Sequence, residues 1–176
     1  LKTDGSVVTW GDAYCGGNST SVSAQLSSNV TAVYSNGYAF AALKTDGSVV
    51  TWGDAYCGGN ATVVNTSTSP YSETSVSAQL SSNVTAVYSN YNAFAALKKD
   101  GSVVTWGDMA YGGNATVVNT STSPWSETSV ASQLSSNVTA VYSNGNAFAA
   151  VKSDGSVVTW GDMAYGGNAT VVNTST

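Results

Sequence analysis

The chain has 176 residues, a net charge of −5 and no histidine, and only 9% of its residues are charged. A soluble domain averages about 25% charged residues, so Ser, Thr, Asn and Gly must supply the polar surface here. The composition offers no basic patch for nucleic acid and no run of about 18 apolar residues that could span a membrane. Without histidine, and with only two cysteines, no catalytic triad can be assembled. We therefore expect no enzyme, and neither a metal nor a cofactor site.

The first element in chain order is a β-hairpin that recurs along the sequence. An Asp-Gly pair between two apolar runs favours a two-residue type I′ turn. With the pair at positions 46–47 in that turn, Phe40 lies opposite Gly53 and Leu43 lies opposite Val50. Both faces of the hairpin are then largely apolar, so we expect neighbouring structure to cover both faces. The block DGSVVTWGD begins at Asp4, Asp46, Asp100 and Asp154, and the first of these intervals is shorter than the other two, which are equal.

The segments between the hairpins predict two further strands. VTAVYS is a third strand in each repeat and ATVV a short fourth, whereas no segment has a convincing helical period. One insertion after GGN causes the difference in spacing, and its constant position predicts a loop on one side of the array. Because both ends fall inside a repeat, we expect the chain to be a fragment of a longer array. The approximate repeats are 1–42, 43–96, 97–150 and a partial 151–176.

Three or four antiparallel strands per repeat, buried on both faces, are typical of propeller blades. The run AFAALKTDGSVVTWG followed by GGN also resembles the repeat of RCC1-like β-propellers, and the resemblance covers every repeat. It implies an all-β fold of tandem antiparallel sheets, as part of a larger ring or of an open superhelical array. The eponymous family members are associated with chromatin and with nucleotide exchange on a small GTPase. This chain lacks their basic character and their histidine-bearing strand, so the resemblance implies the fold and not that activity.

Sequons of the form N-x-Ser/Thr are the strongest chemical signal in the sequence. Most of them recur as NVT, NAT or NTS. Glycans would solubilise a surface that carries few charges, so we expect N-glycosylation; the alternative is a polar loop composition in which sequons arise by chance. The insertion TSTSPYSET is equally consistent with O-glycans and with a flexible loop. The candidate asparagines are Asn18, Asn29, Asn60, Asn65, Asn83, Asn114, Asn119, Asn137, Asn168 and Asn173.

Other residues of interest recur at fixed positions of the repeat. Cys15 and Cys57 are equivalent in successive repeats and could form a single disulfide. The tryptophan of each DGSVVTWGD block is expected in the core rather than as a stacking platform for carbohydrate. Tyr71 and Trp125 lie in the insertions, where an exposed aromatic ring would contact another repeat, another chain or a glycan.

The uniformity of the repeats bears on function, because an enzyme or a specific receptor needs one divergent repeat that builds a unique site. The first hypothesis is therefore an extracellular or cell-surface glycoprotein with a structural role. It would associate with further repeats or copies of itself as a scaffold or fibre, with a filament favoured over a ring. The second hypothesis is a secreted β-propeller module that recognises carbohydrate or protein through its loops.

Overall fold

A computed structural model describes residues 1–67, 69–122 and 125–168, and they form three β-sheets in succession. The first sheet contains β1 Val30–Ser35, β2 Ala39–Lys44 and β3 Val49–Gly53. The second contains β4 Thr62–Asn65, β5 Ser72–Ser75, β6 Val84–Ser89, β7 Ala93–Lys98 and β8 Val103–Asp108. The third contains β9 Thr116–Asn119, β10 Ser126–Ser129, β11 Val138–Ser143, β12 Ala147–Lys152 and β13 Val157–Asp162. Short helical turns are Ala13–Gly17, Thr20–Val22, Met109–Tyr111 and Met163–Tyr165.

Each sheet is an antiparallel three-stranded meander, and two of the sheets carry an added outer hairpin. The strand order is β1-β2-β3 in the first sheet, β5-β4-β8-β7-β6 in the second and β10-β9-β13-β12-β11 in the third. Strand β4 pairs in parallel with β8 and antiparallel with β5. The predicted all-β architecture is confirmed, as are the third and fourth strands. The insertion is not simply a loop, because it forms the β4–β5 hairpin and its counterpart β9–β10.

The pairing register of the central hairpin differs by one residue from the prediction. Leu43 pairs with Val49, and Phe40 pairs with Trp52 rather than with Gly53. Since side chains alternate between the faces of a strand, a shift of one residue moves each β3 side chain to share a face with a different set of β2 side chains. Phe40 and Trp52 consequently lie side by side on one face.

The turn itself explains the shift. Lys44 accepts a backbone bond from Gly47 and donates one to Ser48, both at 2.9 Å, around a three-residue loop. Gly47 has a φ of +78° and Asp46 has no positive φ, which excludes the predicted type I′ turn. Asp46 Oδ1 accepts from the Ser48 N–H at 2.9 Å and from Ser48 Oγ at 2.7 Å. These bonds lower the pKa of Asp46 and stabilise the loop in this form.

The aromatic face of each sheet is closed by a stacked ring pair. The ring centroids of Phe94 and Trp106 lie 5.2 Å apart with an interplanar angle of 14°. Trp106 Nε1 donates to the carbonyl of Gly58 at 3.1 Å. A Cβ on Gly58 would lie 2.9 Å from both rings. The backbone can therefore come this close to the ring pair because the first residue of GGN is a glycine. The same arrangement recurs at Phe40–Trp52 with Gly16 and at Phe148–Trp160 with Gly112.

Successive sheets pack face to face, so both faces of each hairpin are apolar as predicted. The alanine-rich face of one sheet covers the aromatic face of the next. Ala41 and Leu43 form one cluster with Trp106 of the second sheet. Ala95 of the second sheet is clustered in the same way with Trp160 of the third sheet.

Backbone hydrogen bonds join the sheets with the same periodicity. Val49 N–H donates to Leu80 O, and Val84 N–H donates to Gly47 O, both at 2.9 Å. The equivalent bonds one repeat later run from Val103 to Leu134 and from Val138 to Gly101. A serine ladder joins the ends of β1, β6 and β11. Ser89 Oγ donates to Ser35 O at 2.8 Å, and Ser143 Oγ donates to Ser89 O at 2.7 Å.

Candidate functional site

The NVT sequons occupy one exposed position in each sheet. Asn29, Asn83 and Asn137 precede the first strand of each meander and are exposed, with φ values of 64°, 64° and 63°. Asparagine adopts positive φ more readily than other non-glycine residues, so the backbone alone favours Asn there. The exposure leaves these side chains accessible to a glycosylating enzyme.

The NTS sequons have a local structural role. Asn65 Oδ1 accepts from the N–H of Ser67 at 2.9 Å and from its hydroxyl at 2.6 Å. Asn119 makes the same pair of bonds with Ser121. These are turns closed by the asparagine side chain, and both asparagines are half-buried. The hydroxyl that completes the sequon is therefore explained by folding.

Three further sequons behave similarly. Asn18 accepts from the N–H and the hydroxyl of Thr20, and the hydroxyl of Thr62 donates to Asn60 Oδ1. Asn114 accepts from the hydroxyl of the threonine two positions later. Asn168 is half-buried, and Asn173 lies outside the described residues.

The two cysteines are free thiols, so the disulfide considered from the sequence is not formed. Cys57 is buried and its Sγ donates to Asn92 Oδ1 at 3.6 Å. Burial, with a smaller contribution from the negative charges of Asp54 and Asp108, raises the pKa of Cys57 to about 12. The thiol is therefore protonated and unreactive at neutral pH.

The aspartate after each Trp-Gly pair caps the loop that follows. Asp54 Oδ1 accepts from Tyr56 N–H at 2.7 Å, and Asp108 Oδ1 accepts from Ala110 N–H at 2.9 Å. Asp108 also accepts from the hydroxyl of Thr66 in the insertion, at 2.9 Å. Burial raises the pKa of Asp108, because desolvation disfavours the carboxylate. Within the described ranges, no three His, Cys, Asp or Glu side chains are grouped closely enough to hold a metal ion.

The insertion of the second sheet creates a concave site with an aromatic wall. The rings of Tyr56 and Tyr71 meet edge to face, with centroids 5.2 Å apart and an interplanar angle of 84°. Tyr71 thus contacts a tyrosine of its own repeat. Asn60 Nδ2 donates to Glu73 Oε2 at 3.5 Å beside them. The cavity has a volume of about 540 Å³ and is lined by Tyr56, Thr66, Ser67, Ser69, Pro70, Tyr71 and Glu73.

The pair has no exact counterpart elsewhere in the repeats. In the third sheet Trp125 and Glu127 stand where the second has Tyr71 and Glu73, but Ala110 replaces Tyr56. In the first repeat Tyr14 occupies the position of Tyr56, with no insertion opposite it. Sequence reasoning singled out Tyr71 but missed Tyr56, because its partnership depends on how the insertion folds back.

Across the described ranges, the short helical turns include none long and apolar enough to traverse a lipid bilayer.

No protein-family model matches the chain, and neither does any curated protein. Among solved structures, yeast RCC1 (Prp20) bound to Kap60 aligns with a TM-score of 0.50 and 15% identity, over 86% of this chain and 38% of that one. Prp20p from Saccharomyces cerevisiae, studied for its binding to Gsp1p and histones, aligns with a TM-score of 0.48 and 16% identity, over 75% and 30%. Human WBSCR16 aligns with a TM-score of 0.45 and 17% identity, over 76% and 34%.

The chain spans about a third of the length of these structures. Identities this low show the fold alone. Each sheet of this chain is built on a three-stranded meander, and successive sheets pack through a repeated interface. The alignment with yeast RCC1 covers most of the chain. The chain therefore has an RCC1-like β-propeller repeat fold.

Proposed function

We propose that this chain is a periodic structural element of an extracellular or cell-surface glycoprotein, which associates with further repeats or copies of itself. The observation that carries the proposal is an uncovered interface. Tyr142 and Val157 of the third sheet are 62% and 50% exposed, whereas Tyr88 and Val103 are half-buried against the following sheet. An exposed face whose tyrosine and valine correspond to covered ones is suited to the same kind of partner.

The repeated interface supports a scaffold rather than a unique binding protein. Its apolar clusters, its backbone bonds and its serine ladder recur from one sheet to the next. In such arrays stability is approximately a sum of repeat and neighbour contributions. A filament is the assembly we favour, because uniform steps suit an open array.

The test adds repeats to the chain. A second copy of residues 109–162 placed after Asp162 brings one more sheet and one more interface. The free energy of unfolding should rise by about 3–8 kcal/mol for a unit of this length, and by a similar amount for the next copy. Urea denaturation measures the increments, and electron microscopy measures particle length. Unchanged stability when a copy is added would contradict the open scaffold. Disc-shaped particles that form at one particular number of repeats would contradict it as well.

Glycosylation is tested on material from its native source by intact-glycopeptide mass spectrometry. The exposed NVT sites at Asn29, Asn83 and Asn137 should be occupied. The half-buried Asn65 and Asn119, whose side chains close turns, should be occupied less often. Three unmodified NVT sites would overturn the glycoprotein part of the proposal and leave the scaffold part to the repeat-addition experiment.

A further inference from the structure

The Tyr56–Tyr71 pair is an aromatic surface that the repeat does not bury. The two side chains are 46% and 51% exposed, although each ring contacts the other. Tyr14, at the position equivalent to Tyr56, is 84% exposed. The first repeat therefore has a single exposed tyrosine at this position, and in the second repeat the insertion places a second tyrosine ring against the equivalent one. Exposed aromatic groups within a concavity mark binding surfaces.

The rest of the cavity is polar and hydrogen-bonding. The Glu73 carboxylate stands at its edge and is held by the Asn60 amide. Thr66, Ser67 and Ser69 complete the lining. The volume of about 540 Å³ falls within the range of small-molecule sites. The site thus combines an apolar wall with acceptors and donors in a small volume.

We infer that this cavity binds a carbohydrate through one or two pyranose rings. A pyranose presents an apolar C–H face that suits a tyrosine ring and a rim of hydroxyls that suits the Glu73 carboxylate. The inference is independent of the structural function proposed above, since Tyr56 and Tyr71 lie outside the apolar clusters that join the sheets.

A peptide fits the cavity less well. An extended peptide would add to the exposed edge strand Ser72–Ser75 through backbone bonds and would not need the tyrosine pair. A lysine or arginine side chain could contact a tyrosine face, and the carboxylate would favour it. The experiment therefore includes a basic peptide as a separate arm.

The experiment uses the whole chain produced in bacteria, so that no glycan on Asn60 competes for the site. The probes are the methyl glycosides of glucose, galactose, mannose and N-acetylglucosamine, followed by saturation-transfer NMR and calorimetric titration. At least one glycoside should bind with a dissociation constant on the order of 1 mM. Tyr71→Ala and Glu73→Gln should each weaken it about 10-fold or more, which corresponds to about 1.4 kcal/mol.

Tyr14→Ala is the matched control and should leave binding unchanged. Urea denaturation of each variant separates loss of the site from loss of the fold. A chain that replaces residues 61–75 with Ser-Thr-Ser, as in the first repeat, should lose binding altogether. Failure of all four glycosides to bind, or binding indifferent to Tyr71→Ala and Glu73→Gln, would overturn the inference. Tyr71-dependent binding of a lysine-rich peptide in place of the glycosides would reassign the site to a cationic ligand.

Discussion

Three glycines of the Asp-Gly turns share one backbone conformation but meet different surroundings. Gly47, Gly101 and Gly155 have φ values of +78°, +75° and +85°. A Cβ on Gly101 would lie 2.8 Å from Asn137 N in the next sheet. Apart from its neighbours in the chain, none of the described residues has an atom within 4 Å of where a Cβ on Gly155 would lie. The turns of the first two sheets are thus fitted against the sheet that follows each of them.

Alanine at the two sites should separate backbone strain from steric conflict. Gly155→Ala should lower the free energy of unfolding by about 1 kcal/mol, since an L-residue resists positive φ. Gly101→Ala should lower the free energy of unfolding by about 1–3 kcal/mol more than Gly155→Ala does, because the added methyl group displaces the next sheet. Urea denaturation at neutral pH measures both. Equal losses would mean that the turn shifts freely away from Asn137.

A second prediction at the residue scale concerns pH. Since burial raises the pKa of Asp108, the folded chain binds more protons than the unfolded chain between about pH 3.9 and the raised pKa. The free energy of unfolding therefore falls as pH rises through that interval. Asp108→Asn keeps an oxygen for Thr66 and Ala110 and loses the charge. The variant should equal or exceed the native stability at pH 7, and its relative advantage should shrink as the medium becomes acidic.

Asp154→Asn is the control for this pH series, with the opposite sign. Hydrogen bonds from Ser156 lower the pKa of Asp154, so its carboxylate contributes stability above about pH 3.9 that is lost as pH falls through the lowered pKa. This variant should be less stable than the native chain at pH 7 and approach it in acid. Parallel pH profiles of the two variants would refute at least one of the two assignments.

At the scale of elements, the insertion hairpin is attached to its sheet by a short hydrogen-bonded ladder. The parallel ladder between β4 and β8 joins Val63 with Gly107 and Val64 with Asp108. Val64 is fully buried, whereas Ser72–Ser75 is exposed throughout. The first sheet has three strands among its described residues and nonetheless packs on the second by the same interface. The hairpin is therefore an accessory to the blade.

Removing the hairpin should leave a folded chain. If Ser-Thr-Ser replaces residues 61–75, the second sheet should keep three strands. The free energy of unfolding should drop by about 2–4 kcal/mol, chiefly through the lost burial of Val64 and the lost bond from Thr66 to Asp108. Circular dichroism and urea denaturation measure the result. A molten or aggregated product would make the hairpin an essential part of the blade.

Sequence patterns predicted the strands with apolar character and missed those without it. ATVV is apolar and became β4, but SETS has four exposed polar residues and is a strand only because β4 pairs with it. The hairpin register was wrong by one residue, because Asp-Gly alone favours type I′ whereas Ser48 bonds to Asp46 and selects the longer loop. The tyrosine pair required the fold, since Tyr56 and Tyr71 are well separated along the chain and meet only when the insertion folds back.

At the scale of the whole molecule, charge contributes little to cohesion. Among the described residues, the single ion pair joins Lys2 and Asp4 at 3.3 Å, and both side chains are exposed. Lys44, Lys98 and Lys152 each donate instead to a backbone carbonyl at 2.8 Å. The sheets are held together by apolar clusters and neutral backbone bonds.

Stability should consequently be almost independent of sodium chloride. Raising its concentration from about 0.05 M to about 1 M should change the free energy of unfolding by less than about 0.5 kcal/mol, since exposed ion pairs are weak and screened. Sodium sulfate should stabilise the chain, because it strengthens apolar burial. Thermal denaturation across both salts provides the comparison. A steep loss in chloride would show that charges join the sheets.

The matched turns and interfaces have a genetic consequence. A segment such as 109–162 carries a complete sheet and both of its packing faces, so recombination between misaligned copies can add or delete one unit without breaking a hydrogen-bonded ladder. Loss of the insertion alone should be tolerated as well, because it eliminates only the outer hairpin. Deletions of other sizes would cut through a meander. Alleles of this gene are therefore expected to differ in length by whole repeats, and the coding region should behave as a length-polymorphic minisatellite.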